Sequence, residues 1–122
     1  MHVFSLEREQ QWDPKHHVEK ILGKVADGDV TVACWEPGQI SPYHCHPEAT
    51  EIYFCFSGGG TMRTPEQTVA VTPGGFIVHP PGEVHEYANT ISSRQLEDEQ
   101  NSRSSQGFIN RASPRSAIHP EG

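Results

Sequence analysis

Residues 38–58 read GQISPYHCHPEATEIYFCFSG and place three side chains able to bind a metal within eight residues. His44 and His46 are two apart. On extended chain, side chains alternate between faces, so both imidazoles point one way while Tyr43 and Cys45 point the other. Glu51 follows after a turn and opens EIYFCF, a run of aromatic and β-branched residues that reads as a second strand. Two imidazoles and a carboxylate on neighbouring strands form a mixed nitrogen and oxygen donor set. Such a set suits Fe, Mn, Ni, Zn or Cu and leaves coordination positions open.

The flanking sequence is punctuated as short strands. Asp27-Gly28-Asp29 is a turn, 30–35 (VTVACW) a strand, and Glu36-Pro37-Gly38 its end. On the strand from Glu51, Tyr53 and Cys55 share the carboxylate's face while Ile52, Phe54 and Phe56 share the other. Both faces are apolar apart from Glu51, so both are expected to be covered. Ser57-Gly58-Gly59-Gly60 turns the chain, and without a following Gly-Lys-Ser/Thr it is a poor phosphate loop. Residues 61–63 and 67–71 form a hairpin, 76–79 another strand, Pro80-Pro81-Gly82 a rigid turn, and 84–88 the strand that carries His85. About seven short strands at this spacing predict an all-β sandwich or small antiparallel β-barrel.

The spacing within two blocks carries a family resemblance. Gly38, His44, His46, Glu51 and Gly58 stand at the separations of the first cupin motif, and Gly74, Pro80, Gly82, His85 and Asn89 at those of the second, with fifteen residues between the blocks. Over residues 28–89 the chain therefore resembles a small single-domain cupin. The resemblance implies a jelly-roll, or double-stranded β-helix, and one divalent transition metal held by His44, His46, Glu51 and His85. Glu51 is also the candidate catalytic base. It implies a small-molecule ligand as well, in a superfamily of dioxygenases, isomerases, decarboxylases, lyases and non-catalytic binders. Fold-level analogy does not choose among them.

Four further residues are candidates for the pocket. Tyr53, Cys55 and Tyr87 share faces with Glu51 or His85, and Arg63 is the lone basic residue between Lys24 and Arg94, a candidate partner for a substrate carboxylate. Glu83 shares the face of His85 by alternation and is a candidate second acid or base. Cys45 alternates away from both histidines, which argues against a Cys/His nucleophile. His16 and His17 are adjacent, do not chelate one ion well, and read as solvated. His79 receives no role. Gly38, Gly58, Gly74 and Gly82 read as turn residues, and Asn89 as a turn or hydrogen-bonding residue rather than a ligand.

Composition narrows the classes. The chain has 122 residues, enough for one domain. Net charge is −7. The acidic excess lies within residues 1–89, which hold five Lys and Arg against twelve Asp and Glu. An acidic domain without a basic stripe argues against nucleic acid as a partner. Three cysteines without CxxC spacing read as reduced thiols, and no apolar run or leader-like segment is present, so a cytoplasmic chain without membrane association is expected.

The ends divide the chain into three expected regions. Residues 1–27 read as an N-terminal strand, centred on 3–6, followed by an arm; 28–89 as the barrel; and 90–122 as a polar, irregular or disordered tail. Of the tail's 33 residues seven are apolar and seven are serine. A barrel without a closing strand would be open at its C-terminal side and expose apolar surface, so a homodimer is expected. The functional expectation is a metal-dependent oxygenase or isomerase on a small oxygenated or carboxylated metabolite. The alternatives are a non-catalytic metabolite- or sugar-binding protein, or an inactive truncated copy.

Overall fold

A computed structural model of the chain describes residues 1–25, 28–90 and 103–112. In chain order these contain α1 (Leu6–Glu9), β1 (Val18–Val25), β2 (Gly28–Trp35), β3 (Ile40–His44), β4 (Ala49–Ser57), β5 (Gly60–Arg63), β6 (Thr68–Val71), β7 (Phe76–His79), β8 (His85–Ala88) and β9 (Ser104–Ala112). All pairings are antiparallel. One sheet has the order β1-β2-β9-β4-β7 and the other β3-β8-β5-β6. The two sheets are not joined edge to edge into a closed barrel, so the predicted all-β jelly-roll with an open edge is what the chain forms.

Burial follows the alternation along each strand. On β4, Glu51, Tyr53 and Cys55 are buried while Phe54 and Phe56 are exposed, and on β8 His85 and Tyr87 are buried. Ala33, Trp35, Tyr53 and Cys55 of the larger sheet pack with Met62, Val71 and Tyr87 of the smaller one, with Ile77 against them. Each large side chain buried there contributes roughly 1.5–3 kcal/mol, which holds the sheets face to face. The inner face changes character along the strands. It is apolar at Cys55 and Tyr87 and polar at Glu51 and His85.

The C-terminal region differs from its expected irregularity. Residues 104–112 form β9, which lies in the middle of the larger sheet and pairs with β2 on one side and β4 on the other. Its two serines are satisfied by neighbours: the Ser105 and Ser57 hydroxyls are 2.8 Å apart, and the Ser104 and Tyr87 hydroxyls 2.6 Å. A Cβ on Gly107 would come within 2.6 Å of the Phe56 ring, so the absence of a side chain lets this strand fit. A central strand gains its place through backbone hydrogen bonds on both edges, and these leave no mark in hydropathy. The rest of the expected tail, 91–102 and 113–122, lies outside the described residues.

The N-terminal boundary also moves. Residues 3–5 are not a strand, and 6–9 form α1 instead. Phe4 and Leu6 line an apolar cavity with Leu22, Val30, Val32 and Phe56, on the side of the larger sheet away from the core. The first strand is β1, inside the expected arm, and it adds the outer strand beside β2. The sheet framework therefore begins at Val18 rather than at residue 28. Gly38, Gly58, Gly74 and Gly82 have φ of 83, 77, 89 and 83°, as turn positions reserved for glycine require. Gly58 is doubly constrained, because a Cβ there would run into the Arg103 backbone carbonyl at the entry to β9.

Candidate metal centre

Strand geometry brings three of the four expected ligands together. Glu51 opens the inner face of β4, His85 opens that of β8, and His44 ends β3 in register with His85. One ligand atom from each of His44, Glu51 and His85 lies within 4.8 Å of the other two. His46 arrives differently from expectation. β3 carries a register irregularity between Ser41 and His44 and ends at His44, so simple alternation does not reach His46. It stands outside that three-residue cluster, its side chain 39% exposed, with Nε2 3.0 Å from Glu51 Oε2.

The backbone selects the nitrogen that each imidazole presents. His44 Nδ1 lies 2.7 Å from the Pro42 carbonyl oxygen, and His85 Nδ1 lies 2.9 Å from that of Glu83. A carbonyl only accepts, so Nδ1 donates in both rings, and in the neutral ring Nε2 carries the lone pair that an ion would take. His85 Nε2 sits 2.7 Å from Glu51 Oε1. Glu51 and His85 side chains are 2% and 1% exposed, yet neither Glu51 oxygen nor His85 Nε2 has an aligned hydrogen-bond partner. Buried polar atoms crowded together with poorly aligned bonds are costly, and a carboxylate is the most costly of them. A divalent cation among them would satisfy all three, so the donor set fits a metal.

The electrostatics carry the imprint of this crowding. Burial, the largest influence on His85, pulls its pKa down, but the Glu51 carboxylate, the Glu83 carbonyl and the charges of both glutamates outweigh it and hold the imidazole above its ordinary value. Burial, followed by the negative charge of Glu51, pushes the Tyr53 phenol far above its usual range. Tyr53 stays a neutral hydroxyl beside the carboxylate.

A cavity of about 250 Å³ opens onto the centre, lined by His44, His46, Glu51 and Tyr53 together with Ser41, Pro42, His17 and Glu19. Of the expected pocket residues, Tyr53 alone lines it. Cys55 and Tyr87 belong to the apolar core, where burial raises the Cys55 thiol to about 11 and the Tyr87 phenol to about 12. Arg63 turns away: its Nε is 3.2 Å from Glu86 and its guanidinium stands over the Tyr43 ring. Glu83 does not reach the cavity either, since its carboxylate is taken by His79. Asn89 is buried and donates to the Trp35 carbonyl, the hydrogen-bonding role expected of it.

Two residues assigned no role from sequence lie against this cluster and its cavity. His17 stacks on Trp35 with centroids 5.7 Å apart and planes 8° from parallel, and its Nε2 is 3.0 Å from the Glu19 carboxylate on β1. That hydrogen bond is the main reason Glu19 titrates below its usual range, burial opposing it and the charges of His17, His44 and His46 adding to it. His79 is buried at the end of β7 in cross-strand register with Glu51, and its ring lies flat on His85 at 3.8 Å. Strand alternation could place neither of them. His17 precedes the first strand, and His79 becomes a neighbour of His85 only through the Pro80–Gly82 turn.

Comparison with known proteins agrees with the fold. Residues 31–96 match the family model described as a cupin domain. No curated protein matches the chain in sequence. Among solved structures, the protein TT1209 from Thermus thermophilus superimposes with a TM-score of 0.76 at 18% identity, over 93% of this chain and 100% of the other. A Klebsiella pneumoniae protein described as having a double-stranded β-helix domain does so with a TM-score of 0.75 at 17% identity, over 93% and 92%. An RmlC-like cupin from Desulfovibrio desulfuricans gives 0.72 at 15%, over 92% and 96%. At such identities the likeness is one of fold, while the family match spans more than half of the chain and includes both histidine blocks. The chain belongs to the cupin domain family.

Proposed function

We propose that the protein is a mononuclear metal-dependent cupin enzyme, of oxygenase or isomerase type, acting on a small oxygenated metabolite. The observation that carries this reading is the convergence of His44 with the buried Glu51 and His85, whose facing atoms lack aligned partners, beside a cavity that His44 and Glu51 line. His46, at the mouth and against Glu51, is the fourth donor. A bound divalent ion supplies a Lewis acid with positions open to a ligand. The chain's own residues do the rest. Ser41 and Tyr53 offer hydroxyls to the ligand, and the His17–Glu19 pair places an acid and a base on the cavity wall.

That pair favours an enzyme over a passive binder, because a binder needs no proton acceptor opposite its metal. Among the described lining residues there is no Lys or Arg, so an oxygenated substrate fits better than a carboxylate held by Arg63. The volume suits a ligand smaller than a typical drug. The reading of an inactive truncated copy loses its motive, since β9 fills the sheet between β2 and β4. The chain also presents Phe54, Phe56, Phe76 and Val78 as an exposed apolar face of the larger sheet, which supports a homodimer.

The test is metal content per chain, by mass spectrometry, on untagged protein prepared without chelator, beside His44→Ala and His85→Ala. Near-stoichiometric Fe, Mn or Ni that is lost in both variants is expected, followed by oxygen-uptake and isomerase assays with and without Glu19→Gln. Protein that is metal-free and cannot be loaded overturns the enzyme reading.

A further inference from the structure

The two buried imidazoles behind Glu51 share a single anchor. His85 Nδ1 meets the Glu83 backbone carbonyl at 2.9 Å, and His79 Nδ1 meets the Glu83 carboxylate at 2.7 Å. The rings are stacked, with centroids 3.8 Å apart and planes 4° from parallel. Tyr53 stands edge-on to both, at 5.6 and 5.9 Å. His79 is 2% exposed and its Cα pairs across the sheet with that of Glu51. Stacking alone would be served as well by phenylalanine. A histidine here adds the Nδ1–H that grips Glu83, at the cost of burying an Nε2 that has no hydrogen-bond partner. Such a cost is tolerated where the polar group has work elsewhere.

We propose that His79 is a positioning residue for the metal ligand His85: its ring sets the plane of the His85 imidazole, and its bond to the Glu83 carboxylate fixes the turn whose carbonyl sets the His85 tautomer. The device rests on the metal-centre reading above and deepens it. β8 alone determines where the His85 Cα lies, but the side-chain torsions are left to packing. With Tyr53 at the edges and His79 on one face, rotation of the His85 ring would have to displace a buried neighbour. The Glu83 carbonyl and carboxylate then act together, one holding each ring, so that Nε2 of His85 is presented to Glu51 and His44 before any ion arrives. Partners of this kind contribute roughly 10–100-fold to metal affinity. His79 is not one of the motif positions and is absent from the three-residue cluster, so it acts through His85 and not as a ligand.

The experiment titrates the metal-free protein with Co2+ and follows its visible absorption, which reports coordination geometry independently of any turnover. Compared with the wild type, His79→Leu and Glu83→Ala are each expected to weaken binding roughly 10–100-fold and to alter the visible bands. The double variant should be no worse than the worse single one, because both substitutions sever one device. Glu83→Gln keeps an oxygen that accepts from His79 Nδ1 and should restore wild-type affinity and spectrum. Glu83 is partly exposed, so its variants test the idea even if His79→Leu does not fold. Folded His79→Leu, or Glu83→Ala, with wild-type affinity and spectrum overturns the positioning role while leaving the metal centre standing. A wild-type protein that takes up no Co2+ overturns both together.

Discussion

At the residue scale, the centre is defined by which atoms are left without partners. Glu51 is a buried carboxylate whose contacts with the His85 and His46 nitrogens, at 2.7 and 3.0 Å, are poorly aligned, so ion binding relieves a cost in the native state as well as adding bonds. Occupancy at a hundred times Kd adds about 2.7 kcal/mol of stability. For a domain of this size that raises Tm by roughly 10 °C. Differential scanning fluorimetry with added Mn2+ or Co2+ should show this upward shift in the wild type, and none in Glu51→Ala or His85→Ala. Equal shifts in all three proteins would place the binding elsewhere. The thiols offer a second reading of burial. Cys34 and Cys55 are buried, and burial raises both thiols, Cys55 to about 11, whereas Cys45 is partly exposed and unpaired. Ellman's reagent at pH 8 should therefore modify one thiol quickly in the native protein and all three in denaturant. Rapid modification of three would mean that the sheets open readily.

At the scale of the elements, β9 is the strand on which the larger sheet depends. Its nine residues, Ser104 to Ala112, pair with β2 on one edge and β4 on the other, at eight positions each. Arg103, just before it, forks onto both carboxylate oxygens of Glu36 at 3.0 and 3.3 Å, tying the strand's entry to the end of β2. A chain ending at Thr90 would separate β4 and β7 from β1 and β2 and leave two open edges. Such a truncation is expected to lose the near-UV circular dichroism of the buried Trp35 and Tyr87 and to unfold without a cooperative transition. A cooperative melt close to that of the full chain would show that β9 is dispensable. This strand was not legible in composition, since serine, glutamine and glycine carry no strand propensity or hydrophobic alternation. β4 was legible for the opposite reason, its inward and outward residues separating as alternation requires. The short N-terminal run 3–6 misled because four apolar or small residues do not distinguish an edge strand from a surface segment.

For the whole molecule, the question is what covers the outer face of the larger sheet. Phe54 lies opposite Phe76 and Ile52 opposite Val78 across β4 and β7, and the two phenylalanine rings are 5.6 Å apart. A contiguous apolar ladder of this kind is unusual on the free surface of a single chain. Light scattering should give the mass of two chains, and Phe76→Glu combined with Val78→Lys should return one chain with its metal site intact. A wild-type mass of one chain would remove the dimer. Among the described residues no helix is long and apolar enough to cross a membrane. What the sequence alone determined was the two-block spacing, hence the family, the strand alternation, the four turn glycines and the residues of the His44, Glu51 and His85 cluster. These are local properties, carried by separations along the chain and by backbone sterics. Only the tertiary structure decided that His46 stands at the rim, that Arg63 faces Glu86, that His17 and Glu19 line the cavity, and that His79 lies on His85. Each of those depends on where a bulge, a turn or a central strand brings distant residues together, and that outcome is set by packing and by backbone pairing rather than by the pattern of any one segment.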